Sequence, residues 1–583
     1  MRRFVLVALL LTIGIAAPRA QDALTANQRD TDLIQLASRY AKWYAPYEWK
    51  RDVIGFDLYR LTPWLQRIHH SDDLDFQEAL REYVASLGDA HASIVFPSPF
   101  SALLGFSVDI YDGRVLIDAV NRSLLPAGQY PFGMGDELVA LDGEPVQSLI
   151  ASFGKYLAAG NERSRDRLAA GRIVARSQQL MPHASQLGDT AVASIRLSST
   201  GALNTFVIPW VKTGIGVDSQ GPLPGPRRGN GLIFRDPETI GVIAAGQRNR
   251  ALLHPADLRV ADNTLPAYME PILPLLNGSV PGLTDAVLGV GARTPIYGPP
   301  AGFVLRLGTQ PSHFFLSGVY VSNGVRIGLL RIPTISPPNT ALALQQLDQE
   351  IAFFNANTDV LVVDITRNPG GFLPTAEAFA QRLIPRPFRT IGFEIRATAS
   401  WVNGFADRLT SALNAGAPPE VIQNFRDAFN EVLRAYNEER GRTAPIPLNA
   451  IGSLELPPAP VAYAKPLLVL VDEFSISSAD MLAAILQDNH RGPLLGMRTM
   501  GAGGSVVGFN CTAFTESVCT VTLSLMNRGI VISTPDYPPT PYIENVGVRP
   551  DIVVDYMTRA NLMTRGAPFV EAFTQAAVKL VTN

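Results

Sequence analysis

Two short stretches of the chain are apolar at nearly every position: Asp359-Val-Leu-Val-Val-Asp-Ile365 and Pro466-Leu-Leu-Val-Leu-Val471. Unbroken apolar runs of this length, rich in branched side chains, predict strands buried on both faces. Helical spacing over Ala341 to Asn355 precedes the first run. The second run leads into a helix that sets Met481, Leu482, Ile485 and Leu486 on one side. Upstream, Gly318 to Ile332 reads as further strand. Alternation of strand and helix predicts a parallel or mixed sheet. Near the start, Asp32 to Tyr40 and Phe76 to Val84 carry apolar residues three and four apart, so residues 24–86 read as helical, ending at Ser86-Leu-Gly-Asp-Ala-His91 before a strand at 92–96.

Residues 98–212 follow a different rule. Gly105 to Tyr111, Arg114 to Val120 and Phe206 to Trp210 read as strands, and Met134-Gly-Asp-Glu-Leu-Val-Ala-Leu-Asp-Gly-Glu-Pro-Val146 places a turn, a strand and an Asp-Gly turn before a helix. That stretch resembles the signature of a PDZ domain, a module that binds peptide ends by strand addition. A plain antiparallel unit with an Asp-Gly hairpin is the competing reading. A polar helical stretch at 156–179 enlarges the unit. Residues 213–312 are rich in Pro and Gly and read as an insertion. A polar helical insertion interrupts the α/β pattern at about 400–455.

With 583 residues the chain is long enough for several domains; it is 47% hydrophobic and 17% charged, with a net charge of −3. This balance gives no face suited to nucleic acid. Arg2 and Arg3 precede an apolar core from Phe4 to Ala17, which predicts a signal peptide over residues 1–20 and export to the periplasm or beyond. The core is too short for a membrane span, and stable membrane insertion is not expected. Cys511 and Cys519 are the only two cysteines. In an exported protein they predict a disulfide across a hairpin whose tip lies near Thr515-Glu-Ser. Neither CxxC spacing nor clustered His is present, so no metal and no cofactor is expected.

The candidate chemistry sits where the strand at 466–471 gives way to the helix. Within Ser475-Ile-Ser-Ser-Ala-Asp480, a serine at such a turn projects its hydroxyl, and free N–H groups at the helix start can hold an oxyanion. The competing reading of Ser477 and Asp480 is a helix capping box. After the strand at 359–365 comes Arg367-Asn-Pro-Gly-Gly-Phe372, whose paired glycines let backbone approach a ligand.

The order Asp364-Ile-Thr-Arg-Asn-Pro-Gly-Gly371, Ser475 to Asp480, Gly496-Met-Arg-Thr-Met-Gly501 and Glu544-Asn-Val-Gly-Val-Arg-Pro-Asp-Ile552, behind a PDZ-like unit, resembles the tricorn and C-terminal processing serine peptidases. The resemblance implies an α/β fold: a mixed-sheet catalytic core of the ClpP/crotonase-like type, an N-terminal helical region over 21–97, an inserted PDZ-like β domain, and a catalytic domain over 313–583. It also implies Ser477 as nucleophile, with Ser475 and Ser478 as rivals. An oxyanion hole would come from the Ser478 N–H and either Gly370 or Gly371. The processing branch pairs its serine with a downstream lysine. Here no Lys lies between Lys465 and Lys579, and Arg498 cannot substitute because a guanidinium keeps its proton. The tricorn branch uses an upstream His instead, at the position of His91, and a carboxylate at the position of Glu544. Asp480 is the rival carboxylate.

Together these imply an exported serine endopeptidase acting on proteins or peptides through a Ser477–His91–Glu544 triad. A homodimer is left open. The layout resembles a secreted member of the superfamily that is made as a zymogen and cut within its insertion. Self-cleavage near Arg227-Arg228 or Arg248-Asn-Arg250 is the corresponding expectation here. A catalytically inactive peptide-binding protein and an esterase or amidase for small substrates are the alternatives.

Overall fold

The structure is a computed structural model that describes residues 23–219, 289–509 and 511–582. The expected signal peptide and the expected cleavage positions in the insertion lie outside the described residues.

At the centre is a seven-stranded mixed sheet. Its order is Val304–Leu307, Leu316–Ser322, Val325–Arg331, Val360–Asp364, Leu467–Val471, Leu494–Gly496 and Ile552–Val553. The first three strands pair antiparallel and the rest parallel. The two continuous apolar runs lie side by side in the middle, where alternate residues serve opposite layers. Leu361, Val363, Leu467, Val469 and Val471 pack under helices Thr340–Asn357, Leu373–Leu383 and Ser478–Asp488. Val360, Val362, Leu468 and Leu470 pack against Phe569, Phe573 and Ala577 of helix Ala567–Thr582. Burying each such side chain contributes on the order of 1.5–3 kcal/mol. The mixed α/β fold expected from the alternating pattern is therefore present.

One edge differs from expectation. Val304–Leu307, inside the stretch read as insertion, is the outer strand of this sheet, and Tyr297 packs on the helix Ala567–Thr582 side and donates to Asp364 Oδ2 (2.9 Å). Four residues between Gly- and Pro-rich flanks are too few to show a period.

The N-terminal helices Ala26–Trp43, Tyr47–Ile54, Thr62–His69 and Asp73–Ala85 bury Leu33, Leu36, Tyr40 and Trp43 against Phe509, Cys511, Cys519 and Val521. Residues 100–213 form the PDZ-like unit, in which Phe106–Tyr111, Arg114–Val120, Glu137–Leu141, Thr190–Arg196 and Leu203–Pro209 lie in sequence order in one sheet. Its helix Glu162–Val174 occupies only the middle of the stretch read as helical. Helices Ala399–Asn414 and Pro419–Asn437 fall in the 400–455 segment.

Cys511 and Cys519 are joined in a disulfide. It closes the hairpin of Val506–Phe509 and Val518–Thr522, and the latter strand pairs with Ser93–Val95 just after His91. The buried Asp32 carboxylate accepts from the N–H groups of Ala513, Phe514 and Thr515 (2.7–2.9 Å), so the first helix holds the hairpin tip.

Candidate active site

Strand Leu467–Val471 ends in a turn, and helix Ser478–Asp488 begins one residue after Ser477. Ser477 has φ 59° and ψ −115°. That backbone region costs a non-glycine residue about 1–3 kcal/mol and persists only where its surroundings impose it. Here they do. Asp480 Oδ2 accepts the Ser477 N–H (2.6 Å) and the Ala502 N–H (3.2 Å), while Oδ1 accepts the Gly501 N–H (2.9 Å) and the Thr499 hydroxyl. Asp480 is thus more than a helix cap: it ties the Ser477 turn to segment 499–502. Burial pushes its carboxyl up to about 6, against the pull of its donors.

Upstream of the turn, Arg167 of the PDZ-like unit bonds Asp109 (2.5 Å) and Glu473 (2.8 Å), with its guanidinium 4.7 Å from the Phe474 ring. The rival serines are otherwise engaged. Ser475 Oγ donates to the Ile365 carbonyl (2.8 Å), and Ser478 Oγ to the Gly371 carbonyl (2.6 Å).

The glycine pair lies against this turn. A Cβ on Gly370, whose φ is 83°, would stand 2.4 Å from the Ile476 carbonyl, 2.9 Å from Ser477 Cβ and 2.9 Å from the Ser478 nitrogen. The Gly370 N–H donates to Asn368 Oδ1 (2.8 Å). Among the described residues the Gly371 and Ser478 N–H groups have no acceptor.

His91 is fully buried between helix Asp73–Ala85 and strand Ser93–Val95. Its N–H donates to Asp89 Oδ1 (2.8 Å), and its carbonyl accepts from Thr520 Oγ1 (2.6 Å). Ala90, next to His91, belongs to the same apolar cluster as Ile476, Met500 and Ala502. Burial lowers the His91 imidazole to about 4; Asp89 opposes the shift and Lys50 adds to it.

Glu544 is also fully buried. Oε2 accepts the Gly503 N–H (2.8 Å), and Oε1 accepts from the Lys50 ammonium. The carboxylate is therefore hydrogen-bonded to Lys50 and to the Gly503 N–H. Burial and the Asp89 charge raise the Glu544 carboxyl, while Lys50 opposes them. Lys50 Nζ also donates to Asn545 Oδ1 (2.6 Å) and the Gly88 carbonyl (3.0 Å). Asn545 Nδ2 donates to the same Gly88 carbonyl (2.7 Å). Lys50, Asp89 and Asn545 were not singled out from the sequence. No local period distinguishes Lys50, which lies on the short helix Tyr47–Ile54, far along the chain from every other motif.

Residues 326–554 match peptidase family S41, and residues 100–213 match a PDZ domain. The chain carries a serine peptidase domain of family S41. The S41 domain contains Ser477 and Glu544, whereas His91 and Lys50 lie upstream of it. A protein of Chlamydia trachomatis serovar D is 25% identical over 637 residues, covering 100% of this chain and 98% of its own. A Chlamydia pneumoniae protein is 24% identical over 94% of this chain and 90% of its own. The fold is similar to that of mature CPAF, with a TM-score of 0.73 at 22% identity, covering 96% of this chain and 98% of that one. Mature CPAF complexed with lactacystin superposes with a TM-score of 0.71 at the same identity, covering 96% of this chain and 99% of that one. Among the described residues, no helix is long and apolar enough to cross a membrane.

Proposed function

We propose that the chain is an exported serine endopeptidase in which Ser477 is the nucleophile, His91 the general base and Glu544 the buried acid. Ser477 Oγ bonds to the scissile carbonyl carbon and its proton passes to the imidazole. The tetrahedral oxyanion lies between the Ser478 and Gly371 N–H groups, while Gly370 supplies the close approach that puts them side by side. The carbon–nitrogen bond then breaks as His91 returns the proton to the leaving amine, and water releases the acyl group by the same route. Each oxyanion donor lowers the barrier by about 3–4 kcal/mol. Asp89 supplies negative charge that favours the imidazolium, and Lys50 holds Glu544 in place and favours its ionised form against burial.

The observation that carries this reading is the left-handed backbone at Ser477, held by Asp480 at the junction of strand and helix, with Gly370 against it. A fluorophosphonate probe tests it: labelling at Ser477 is expected, with none in Ser477→Ala. Lactacystin, bound by CPAF in the similar structure, serves as a second probe. The Lys50–Glu544 pair favours a second reading, a peptide-binding protein without activity, which predicts no labelling of any form of the chain.

Export is supported by the signal-like start of the sequence and by the disulfide. Synthesis as a zymogen, cut within 213–312 by the enzyme itself, rests on the layout shared with the secreted relative. Its test is the appearance of two fragments with the wild type and none with Ser477→Ala. A full-length uncut chain with full activity overturns it.

A further inference from the structure

A continuous set of hydrogen bonds runs from the loop that carries His91 to the turn that carries Ser477, and Asn545 is its junction. On one side, Asn545 Nδ2 donates to the Gly88 carbonyl (2.7 Å). The next residue, Asp89, accepts the His91 N–H at Oδ1 (2.8 Å) and the Thr522 hydroxyl at Oδ2 (2.8 Å). On the other side, the Asn545 N–H donates to the Gly501 carbonyl (2.9 Å) and the Gly501 N–H to Asp480 Oδ1 (2.9 Å). Asp480 Oδ2 then accepts the Ser477 N–H (2.6 Å).

The Asn545 side chain is buried, and its amide is used at both ends. Besides Gly88, Nδ2 donates to the Gly160 carbonyl of the PDZ-like unit (3.2 Å). Oδ1 accepts from the Lys50 ammonium (2.6 Å) and the Trp49 indole N–H (3.2 Å). Ammonium and indole can only donate, so they fix which end of the amide faces them and leave its two N–H donors for the two carbonyls. One side chain thus joins helix Tyr47–Ile54, the loop of His91 and the PDZ-like unit. Its φ of 62° lies in the left-handed region, which Asn and Asp enter more readily than most residues.

We propose that Asn545 is a positioning residue of the peptidase, setting the loop of His91 relative to the turn of Ser477. The inference rests on the peptidase reading above and adds to it the residue that registers base against nucleophile. The partners of Asn545 are carbonyls, an ammonium and an indole, so its influence on the reaction passes through the placement of His91. A misplacement of about 1 Å in a reacting group costs about 10²-fold in rate. That loss falls on kcat rather than on KM, because no contact with substrate is removed.

Asn545→Asp tests this. It keeps the shape, the backbone preference and an acceptor for Lys50 and Trp49, but has no N–H for Gly88 or Gly160. Turnover of a peptide substrate is expected to fall about 10²-fold in kcat, with unchanged circular dichroism. The deciding measurement places the same substitution in His91→Ala and reads the rate of Ser477 labelling by a fluorophosphonate. With the base gone its position no longer matters, so Asn545→Asp is expected to slow labelling no further. Equal slowing in both backgrounds, an unchanged kcat, or a loss confined to KM overturns the proposal. If Asn545→Asp does not fold, Asn545→Gly, which also accepts the left-handed backbone, replaces it in the same cycle. Loss of the fold in both makes Asn545 a structural residue and overturns the proposal as well. A wild type that does not label overturns the peptidase reading and this inference with it, whereas failure of the cycle with a labelled wild type leaves that reading standing.

Discussion

The Lys50 ammonium hydrogen-bonds Glu544 Oε1, although 494 positions separate the two residues and neither side chain reaches solvent. Removing the cation leaves a buried carboxylate that ionises only at a cost. In Lys50→Met the Glu544 carboxyl is expected to move further above its unfolded-state value. A raised carboxyl is protonated in the folded chain at acid pH and must give up that proton as the pH rises, so the lost stability grows with pH. Thermal melts should show Lys50→Met close to wild type at pH 5 and clearly below it at pH 8.5, approaching about 3–5 kcal/mol for an unpaired buried charge. A deficit equal at both pH values contradicts this role for Lys50.

Ser477→Ala and His91→Ala are each expected to lower kcat/KM on a peptide substrate by about 10⁴-fold or more, with unchanged far-UV circular dichroism. The residues act as a unit, so the double variant should be little worse than either single one. Substantial turnover in His91→Ala would move the base elsewhere.

The pH dependence follows from the environment of His91. Burial holds its imidazole at about 4, below its ordinary value of 6.5. A base must be neutral to accept the Ser477 proton. Activity is therefore lost as the pH falls through the folded value, not through the ordinary one. The acid limb of kcat/KM is expected near pH 4–5, and a limb at 6.5 or above would show a better-solvated imidazole in the free enzyme.

Gly370→Ala should abolish turnover. The added methyl meets the Ile476 carbonyl at 2.4 Å and the Ser478 nitrogen at 2.9 Å, at a φ of 83°. Gly128→Ala, with nothing within 4 Å of the new Cβ, is the control and should match wild type. A loss confined to KM in Gly370→Ala would place this glycine in substrate binding rather than beside the oxyanion.

Removing the disulfide by Cys511→Ser with Cys519→Ser should cost roughly 2–3 kcal/mol in denaturant unfolding, the chain-entropy value for a short closed loop. Strand Val518–Thr522 carries the Thr520 hydroxyl that holds the His91 carbonyl, so kcat is expected to fall before the fold is lost. Full activity of the destabilised variant would separate the hairpin from the site.

The central strands and the Ser477 turn were legible because their signals are local. A run such as Leu467–Val471 admits few other structures, and the serine motif follows within a few residues. The likeness of residues 326–554 to peptidase family S41 was foreshadowed by the order of motifs along the chain. The Glu544–Lys50 pair was not, since a contact across hundreds of residues leaves no period. Nor could sequence separate Gly370 from Gly371, because only the position of Asn368 decides whose N–H is spent. The edge strand Val304–Leu307 was hidden by its length and by its Gly- and Pro-rich flanks.

The strand after His91 is paired with one that lies more than four hundred residues later, Ser93 opposite Thr520. A growing chain therefore cannot complete the surroundings of His91 until almost the last of its length has been made, and loop closure over such a span is slow. Truncated or stalled chains are left without the strand whose Thr520 hydroxyl holds the His91 carbonyl. With His91 as the proposed base, the order of synthesis would hold proteolysis back until the molecule is nearly whole.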